Sequence, residues 1–146
     1  MKTRRINALC AALAVVLAVS ACSLLSSSPT ATFKAFYEAQ KKKDAAGMKK
    51  ALSKGTLDMF DKLAKAQNKS TDDMLKEINK DDKSEKPESR NEKITGDTAT
   101  LEVKNDKTGK WDPLPFVKEN GEWKIALDKF VENMLKDLGE KVPDIK

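Results

Sequence analysis

The spacing of apolar residues changes once along this 146-residue chain, and that change constrains the fold more than any other feature. In the first half, apolar side chains recur at intervals of three and four, as at Leu57 and Phe60, which is the period of a helix. In the second half they alternate with polar ones, as at Ala99 and Leu101, which is the period of a strand. A highly charged stretch over residues 79–92 separates the two parts and is expected to be an exposed loop. The pattern predicts an α+β domain with N-terminal helices packed on a curved antiparallel sheet and a C-terminal helix.

Four helices are expected in the first half. The first spans residues 33–43, where Phe33, Phe36 and Tyr37 share one face and three lysines lie at the negative end of the helix dipole. Short polar side chains that can accept a backbone hydrogen bond precede each apolar run. The expected N-caps are Thr30 or Thr32, then Asp44, Thr56 and Ser70, the last in a capping box with Asp73. The second helix is expected to end near Gly55.

The second half predicts an antiparallel meander. Residues 90–95 are expected to pair with a strand over residues 98–104 through a Gly-Asp turn. The third strand, over residues 110–118, is expected to be irregular because Pro113 and Pro115 cannot donate ladder hydrogen bonds.

Asn120-Gly121 is the strongest local turn pattern, because a type I′ hairpin requires positive φ at both central residues. It joins the third strand to a fourth over residues 123–127. The closing helix is expected to begin at Asp128.

The N-terminus has the organisation of an export signal. Three basic residues lie within the first five positions, an apolar run follows over residues 8–19, and no charged residue occurs from residue 6 to residue 33. The run ends in Val19-Ser20-Ala21-Cys22, which resembles the lipobox of bacterial lipoprotein precursors. The resemblance implies that Cys22 carries a diacylglyceryl group and becomes the first residue after cleavage.

The expected organisation is a lipoprotein signal peptide over residues 1–21, a Ser-rich tether over residues 22–32 and a single domain over residues 33–146. An uncleaved membrane anchor is an alternative, although the apolar run is short for a span. An ordinary secretory signal is another, although it leaves an unpaired thiol in an exported protein. The expected location is the bacterial cell envelope, with the membrane reached through the lipid on Cys22. Ser23 favours the outer membrane in a Gram-negative cell.

Charge and composition exclude several classes of function. Removal of residues 1–21 takes away three positive charges and no negative ones, so the formal net charge falls from +5 to +2. Nucleic-acid binding loses its main support, because affinity for phosphate backbones grows with the number of basic groups. The chain has no histidine and only two cysteines, which argues against a zinc site, a haem pocket or a catalytic triad. No cofactor is expected.

The order of elements resembles the nuclear-transport-factor-2-like, or cystatin-like, domain of small bacterial lipoproteins of unknown function. The segments that carry the resemblance are FKAFYEAQKKK at 33–43, DAAGMKKAL at 44–52, GDTATLEV at 96–103 and NGEWKI at 120–125. The resemblance implies a conical pocket between the first helix and the sheet. The aromatic residues able to line it are Phe33, Phe36, Tyr37, Trp111, Phe116 and Trp123. The alternative is that they simply fill the core, which a domain of this size also requires.

Tyr37, Trp111 and Phe116 are the ligand-pocket candidates. Tyr37 and Trp111 are expected to be partly accessible because their polar tips need partners, whereas Phe60 and Leu101 are expected to be fully buried. No catalytic residue and no metal ligand is predicted.

The sequence favours a non-enzymatic, lipid-anchored envelope protein that binds a protein partner or a small apolar ligand at the membrane surface. One alternative is a small cone-fold enzyme of the isomerase type, which needs a buried carboxylate base and an acid. Tyr37 would then be the acid, and Asp97, Asp112 or Asp128 the base. The other alternative is an accessory structural lipoprotein with no ligand.

Overall fold

A computed structural model of the protein describes residues 28–78, 87–137 and 139. The expected signal peptide, Cys22 and the tether up to residue 27 lie outside the described residues, as do residues 79–86 of the expected loop. Four helices come first: α1 (Pro29–Lys41), α2 (Ala45–Ala51), α3 (Lys54–Ala66) and α4 (Thr71–Glu77). They are followed by β1 (Ser89–Thr95), β2 (Thr98–Lys104), β3 (Trp111–Glu119), β4 (Glu122–Ile125) and α5 (Leu127–Asp137). The predicted α+β class with a closing helix is confirmed.

The first helix begins earlier than the apolar spacing indicates. Ser28 is its N-cap and accepts a hydrogen bond from the backbone N–H of Ala31 at 3.2 Å, in place of the expected Thr30 or Thr32. Pro29 occupies the first helical position, where its missing N–H costs nothing. Residues 29–32, assigned to the tether from the sequence, therefore belong to α1.

Two of the expected N-caps are confirmed. Asp44 accepts a hydrogen bond from Gly47 N at 3.0 Å, and Ser70 accepts one from Asp73 N at 3.1 Å. Thr56, the N-cap expected for α3, is wrong, because Ser53 is the N-cap of that helix. Gly55, expected near the end of the second helix, lies inside α3.

The sheet has the order β1-β2-β3-β4, with every pair of neighbours antiparallel. Both predicted turns are confirmed, and Gly96, Asn120 and Gly121 have positive φ. The two turns, at residues 96–97 and 120–121, lie at the same end of the strands, called here the hairpin end. The β2–β3 connection, residues 105–110, lies at the opposite end of the strands, called here the loop end.

β3 is more regular than its prolines predict, since its pairing with β2 runs without a break from Trp111 to Val117. The backbone N–H of Lys118 donates to Asp97 O at 2.8 Å. Because backbone N–H groups alternate in direction along a strand, the even-numbered N–H groups of β3 point towards β2. Pro113 and Pro115 are odd-numbered, so their missing N–H groups face away from β2, towards the side of β3 on which β4 lies. The pairing of β3 with β4 starts only at Phe116, so neither proline interrupts it. The irregularity lies instead in β1, between residues 90 and 93.

The helices pack on one side of the sheet. α1 contacts β4 and β2, α2 lies against α1 and β4, and α5 contacts β3 and α3. The inward residues of the strands alternate as predicted, and Leu101, Phe116 and Ile125 are buried with Met48 and other helix residues. No helix among the described residues is long and apolar enough to span a membrane.

Candidate functional site

A cleft of about 460 Å³ opens at the loop end of the sheet. Its walls are α1, the start of α5 and the adjoining ends of β2 and β3. The apolar lining residues are Phe33, Phe36, Tyr37, Ile78, Pro87, Val103, Pro113, Leu114, Ile125, Leu127 and Phe130. This volume lies within the range of about 300 to 1,000 Å³ that is typical of small-molecule sites.

The path of α1 across the sheet explains why the cleft forms at this end. Near the hairpin end, the Thr32 hydroxyl donates to Trp123 O at 3.1 Å, and Thr30 donates through its backbone N–H and its hydroxyl to Glu92. These contacts hold the first turn of α1 close to the sheet. Tyr37 and Gln40 lie one to two turns further along, at the loop end, where both line the cleft.

The aromatic candidates separate into different environments. Tyr37 lines the cleft but is 9% exposed, so it is less accessible than expected. Phe116 is buried in the core and is not among the lining residues. Leu101 is fully buried as expected, whereas Phe60 is only partly buried.

Trp111 lies on the other face of the sheet, which corrects the expectation that it lines the pocket. It pairs with Lys104, whereas the inward-facing Leu114 pairs with Leu101. Its ring packs beneath the guanidinium of Arg90 at 3.9 Å, and Arg90 Nε donates to Glu102 at 2.8 Å. The opposite orientation of Trp111 and Phe116 follows from their spacing in the sequence, because residues five apart in a regular strand face opposite sides of the sheet.

The mouth of the cleft is polar and is organised by one side chain. Asn105 Oδ1 accepts hydrogen bonds from the backbone N–H groups of Lys107 and Thr108, at 3.1 and 3.2 Å. The Asn105 amide also donates to Asp112 Oδ2 at 3.2 Å. The loop is therefore held against the start of β3, with Asp106 and Lys107 at the edge of the cleft.

Sequence reasoning missed two parts of this site. Leu127 and Phe130 enter from α5, and their only sequence pattern is the apolar spacing of that helix. Asn105, Asp106 and Lys107 come from a connection that has only a turn composition.

The three carboxylates considered for the isomerase alternative lie in three different places. Asp97 is exposed in the β1–β2 turn, and Asp128 lies at the start of α5 beside Ser53 and Thr56. Only Asp112 lines the cleft that also contains Tyr37. Asp112 is half-buried near the mouth rather than deep in the cleft. Within the described ranges there is no group of three His, Cys, Asp or Glu side chains that could hold a metal ion.

The fold and the cleft thus define a small α+β domain with an apolar site between its first helix, its sheet and its last helix. Comparisons with protein-family models, with curated proteins and with solved structures found no match to this chain. The sequence and the geometry of the cleft are therefore the features that bear on its function.

Proposed function

We propose that the protein is a non-enzymatic, lipid-anchored lipoprotein of the bacterial envelope that binds a small apolar ligand in the cleft at the loop end. The proposal of ligand binding is supported by the cleft itself, whose interior is formed mainly by aromatic and aliphatic side chains such as Phe36, Leu114 and Phe130. The proposal of a lipid anchor is supported by the order of residues from Val19 to Cys22. The likeness to nuclear-transport-factor-2-like lipoproteins remains part of this proposal.

Transfer of an apolar ligand from water into such a cleft is favourable by roughly 25 cal/mol for each Å² of apolar surface removed from water. A cleft of this size with a mainly apolar lining has the dimensions and chemistry of a site for a small apolar ligand. The cleft therefore favours a ligand site over an accessory protein with no ligand.

The isomerase alternative is supported less well by the same cleft. Tyr37 and Asp112 both line it, but a base that removes a proton in such a site is usually buried so that its pKa approaches neutrality. Asp112 is instead half-buried near the mouth, where its carboxylate accepts a hydrogen bond from the Asn105 amide.

The experiment is binding of the uncharged fluorescent probe N-phenyl-1-naphthylamine to the mature chain, residues 22–146, carrying Cys22→Ser. Saturable binding is expected. Leu114→Trp should fill the cleft and weaken binding at least tenfold, while Leu63→Trp, on an exposed position of α3, should leave it unchanged. Absence of saturable binding to the folded protein would contradict the proposal and would favour the protein-partner alternative.

A further inference from the structure

The first helix begins at the hairpin end of the sheet. Ser28 is the N-cap of α1, and one turn later the Thr32 hydroxyl donates to Trp123 O at 3.1 Å. Trp123 pairs with Lys118 and lies two residues from the turn at Gly121. The connection from the expected lipid anchor therefore joins the domain at the hairpin end, whereas the cleft opens at the loop end.

This connection is short compared with the length of the strands. Cys22 lies six residues before Ser28, and a chain extends by at most about 3.6 Å per residue, so the two residues are at most about 22 Å apart. β2 has seven residues, which at about 3.3 Å each separate the hairpin end from the loop end by roughly 20 Å. A domain with its loop end on the membrane would use the whole connection merely to pass along the strands. The length of the connection therefore favours the opposite orientation, with the hairpin end next to the membrane.

An exposed apolar side chain lies at the same end of the sheet. Ile94 is 52% exposed and is the last residue but one of β1. It pairs with Ala99, which is buried beneath the helices, so Ile94 faces the same side of the sheet but lies beyond the cover of the helices. Glu92, two residues earlier in β1, accepts hydrogen bonds from Thr30 in the first turn of α1. Ile94 therefore lies close to the point where the chain enters the domain from the anchor.

We propose that the hairpin end docks on the membrane that holds the Cys22 lipid, with Ile94 in contact with lipid and the cleft opening away from the membrane. An isoleucine side chain gains free energy when it leaves water, and the short connection brings Ile94 to the bilayer surface. The inference rests on the proposed lipid anchor and adds the orientation of the domain. A ligand then enters the cleft from the aqueous compartment and not from the bilayer.

Two reporters at opposite ends of the sheet measure this orientation. Asp97→Cys, in the exposed β1–β2 turn, marks the hairpin end, and Lys110→Cys, in the exposed β2–β3 connection, marks the loop end. The sequence has no cysteine after Cys22, so each variant of the acylated protein takes a single bimane label. The labelled proteins are anchored in vesicles of phosphatidylethanolamine and phosphatidylglycerol that contain a lipid with a nitroxide on its headgroup.

The label at residue 97 is expected to be quenched at least about threefold more than the label at residue 110, because a nitroxide quenches at short range and the two ends are roughly 20 Å apart. Ile94→Asp should lower the quenching at residue 97 at least about twofold, since a carboxylate is disfavoured among acyl chains. Leu63→Asp is the matched control, because Leu63 is 46% exposed in the second half of α3, and it should leave the quenching unchanged. Urea unfolding followed by tryptophan fluorescence checks that both variants are folded.

Equal quenching at the two ends of the anchored protein would overturn the inference, as would stronger quenching at residue 110. Unchanged quenching at residue 97 in the folded Ile94→Asp variant would also overturn it, and would indicate that Ile94 is covered by another part of this chain or by a second copy. Failure of the wild-type protein to float with the vesicles would instead remove the proposed lipid anchor, and the inference with it.

Discussion

The carboxylate of Asp128 lies so close to Gly55 that a Cβ atom at Gly55 would be 2.4 Å from Oδ2 of Asp128. Oδ1 of the same carboxylate lies 3.1 Å from Ser53 Oγ and 2.9 Å from Thr56 Oγ1. The first turn of α3 and the first turn of α5 are therefore joined through one side chain. This junction fixes the start of α5, which supplies a wall of the cleft.

Gly55→Ala should destabilise the protein by about 1 to 3 kcal/mol, because the added methyl group has no room beside Asp128. Urea unfolding followed by tryptophan fluorescence measures the change. Combining it with Asp128→Ala should cost less than the sum of the two single changes, since the clash is then removed. Additive effects would show that Asp128 moves away at no cost.

Thr56→Val should lower the free energy of unfolding by about 1 to 3 kcal/mol, because it leaves buried hydrogen-bonding groups without a partner. The Thr56 hydroxyl oxygen accepts a hydrogen bond from Leu127 N at 2.8 Å, and Thr56 is fully buried. Thr95→Val, at an exposed strand position, is the control and should have little effect. A near-neutral Thr56→Val would contradict the role of this hydroxyl at the start of α5.

Trp123→Ala should cost about 3 to 5 kcal/mol, as expected for truncation of a large aromatic residue in a core. Trp123 is 5% exposed, whereas Trp111 is half-buried on the outer face of the sheet. Trp111→Ala should therefore cost less than half as much. Urea midpoints compare the two variants, and equal losses would indicate that the outer face is covered by another element.

Glu132 should make α5 sensitive to acid. Hydrogen bonds from Lys136 and Lys129 lower the pKa of Glu132 from 4.5 to about 2. Because the folded pKa lies below the unfolded one, the contribution to stability is complete above pH 4.5 and is lost as the pH falls towards about 2.

The measurement is an NMR titration of the Glu132 carboxyl, together with urea unfolding at pH 6 and pH 2.5. Glu132→Gln should reduce the loss of stability between these two pH values. Glu38→Gln, on an exposed position of α1, should not. A titration midpoint near 4.5 would show that the two lysines do not hold the carboxylate.

Cys22→Ser should leave unprocessed precursor in place of lipid-modified protein, because the serine hydroxyl does not substitute for the thiol in forming the thioether. Intact mass spectrometry of the wild type should show a chain that begins at residue 22 and carries acyl mass. A chain beginning at residue 22 without acyl mass would indicate ordinary secretion, and retention of residues 1–21 would indicate a membrane anchor.

Much of the fold could be predicted because its determinants are local. The period of the apolar residues distinguishes helix from strand, the Asp44 and Ser70 caps depend on side chains three residues from their targets, and the Asn120-Gly121 turn depends on two backbone conformations. Each of these involves only a few neighbouring residues, so the sequence itself determines it. The lipid anchor at Cys22 is a prediction of the same local kind.

The tertiary structure decided what depends on distant segments. Thr56 has the residue type and setting of an N-cap for α3, yet its hydroxyl serves α5, because packing brings Leu127 within 2.8 Å of it. Tyr37 meets Phe130 and Lys107 in one cleft only because α1, α5 and the β2–β3 connection converge at the loop end. Which side chain caps which helix, and which residues share a cleft, follow from contacts between segments far apart in the chain, and no local pattern specifies those contacts.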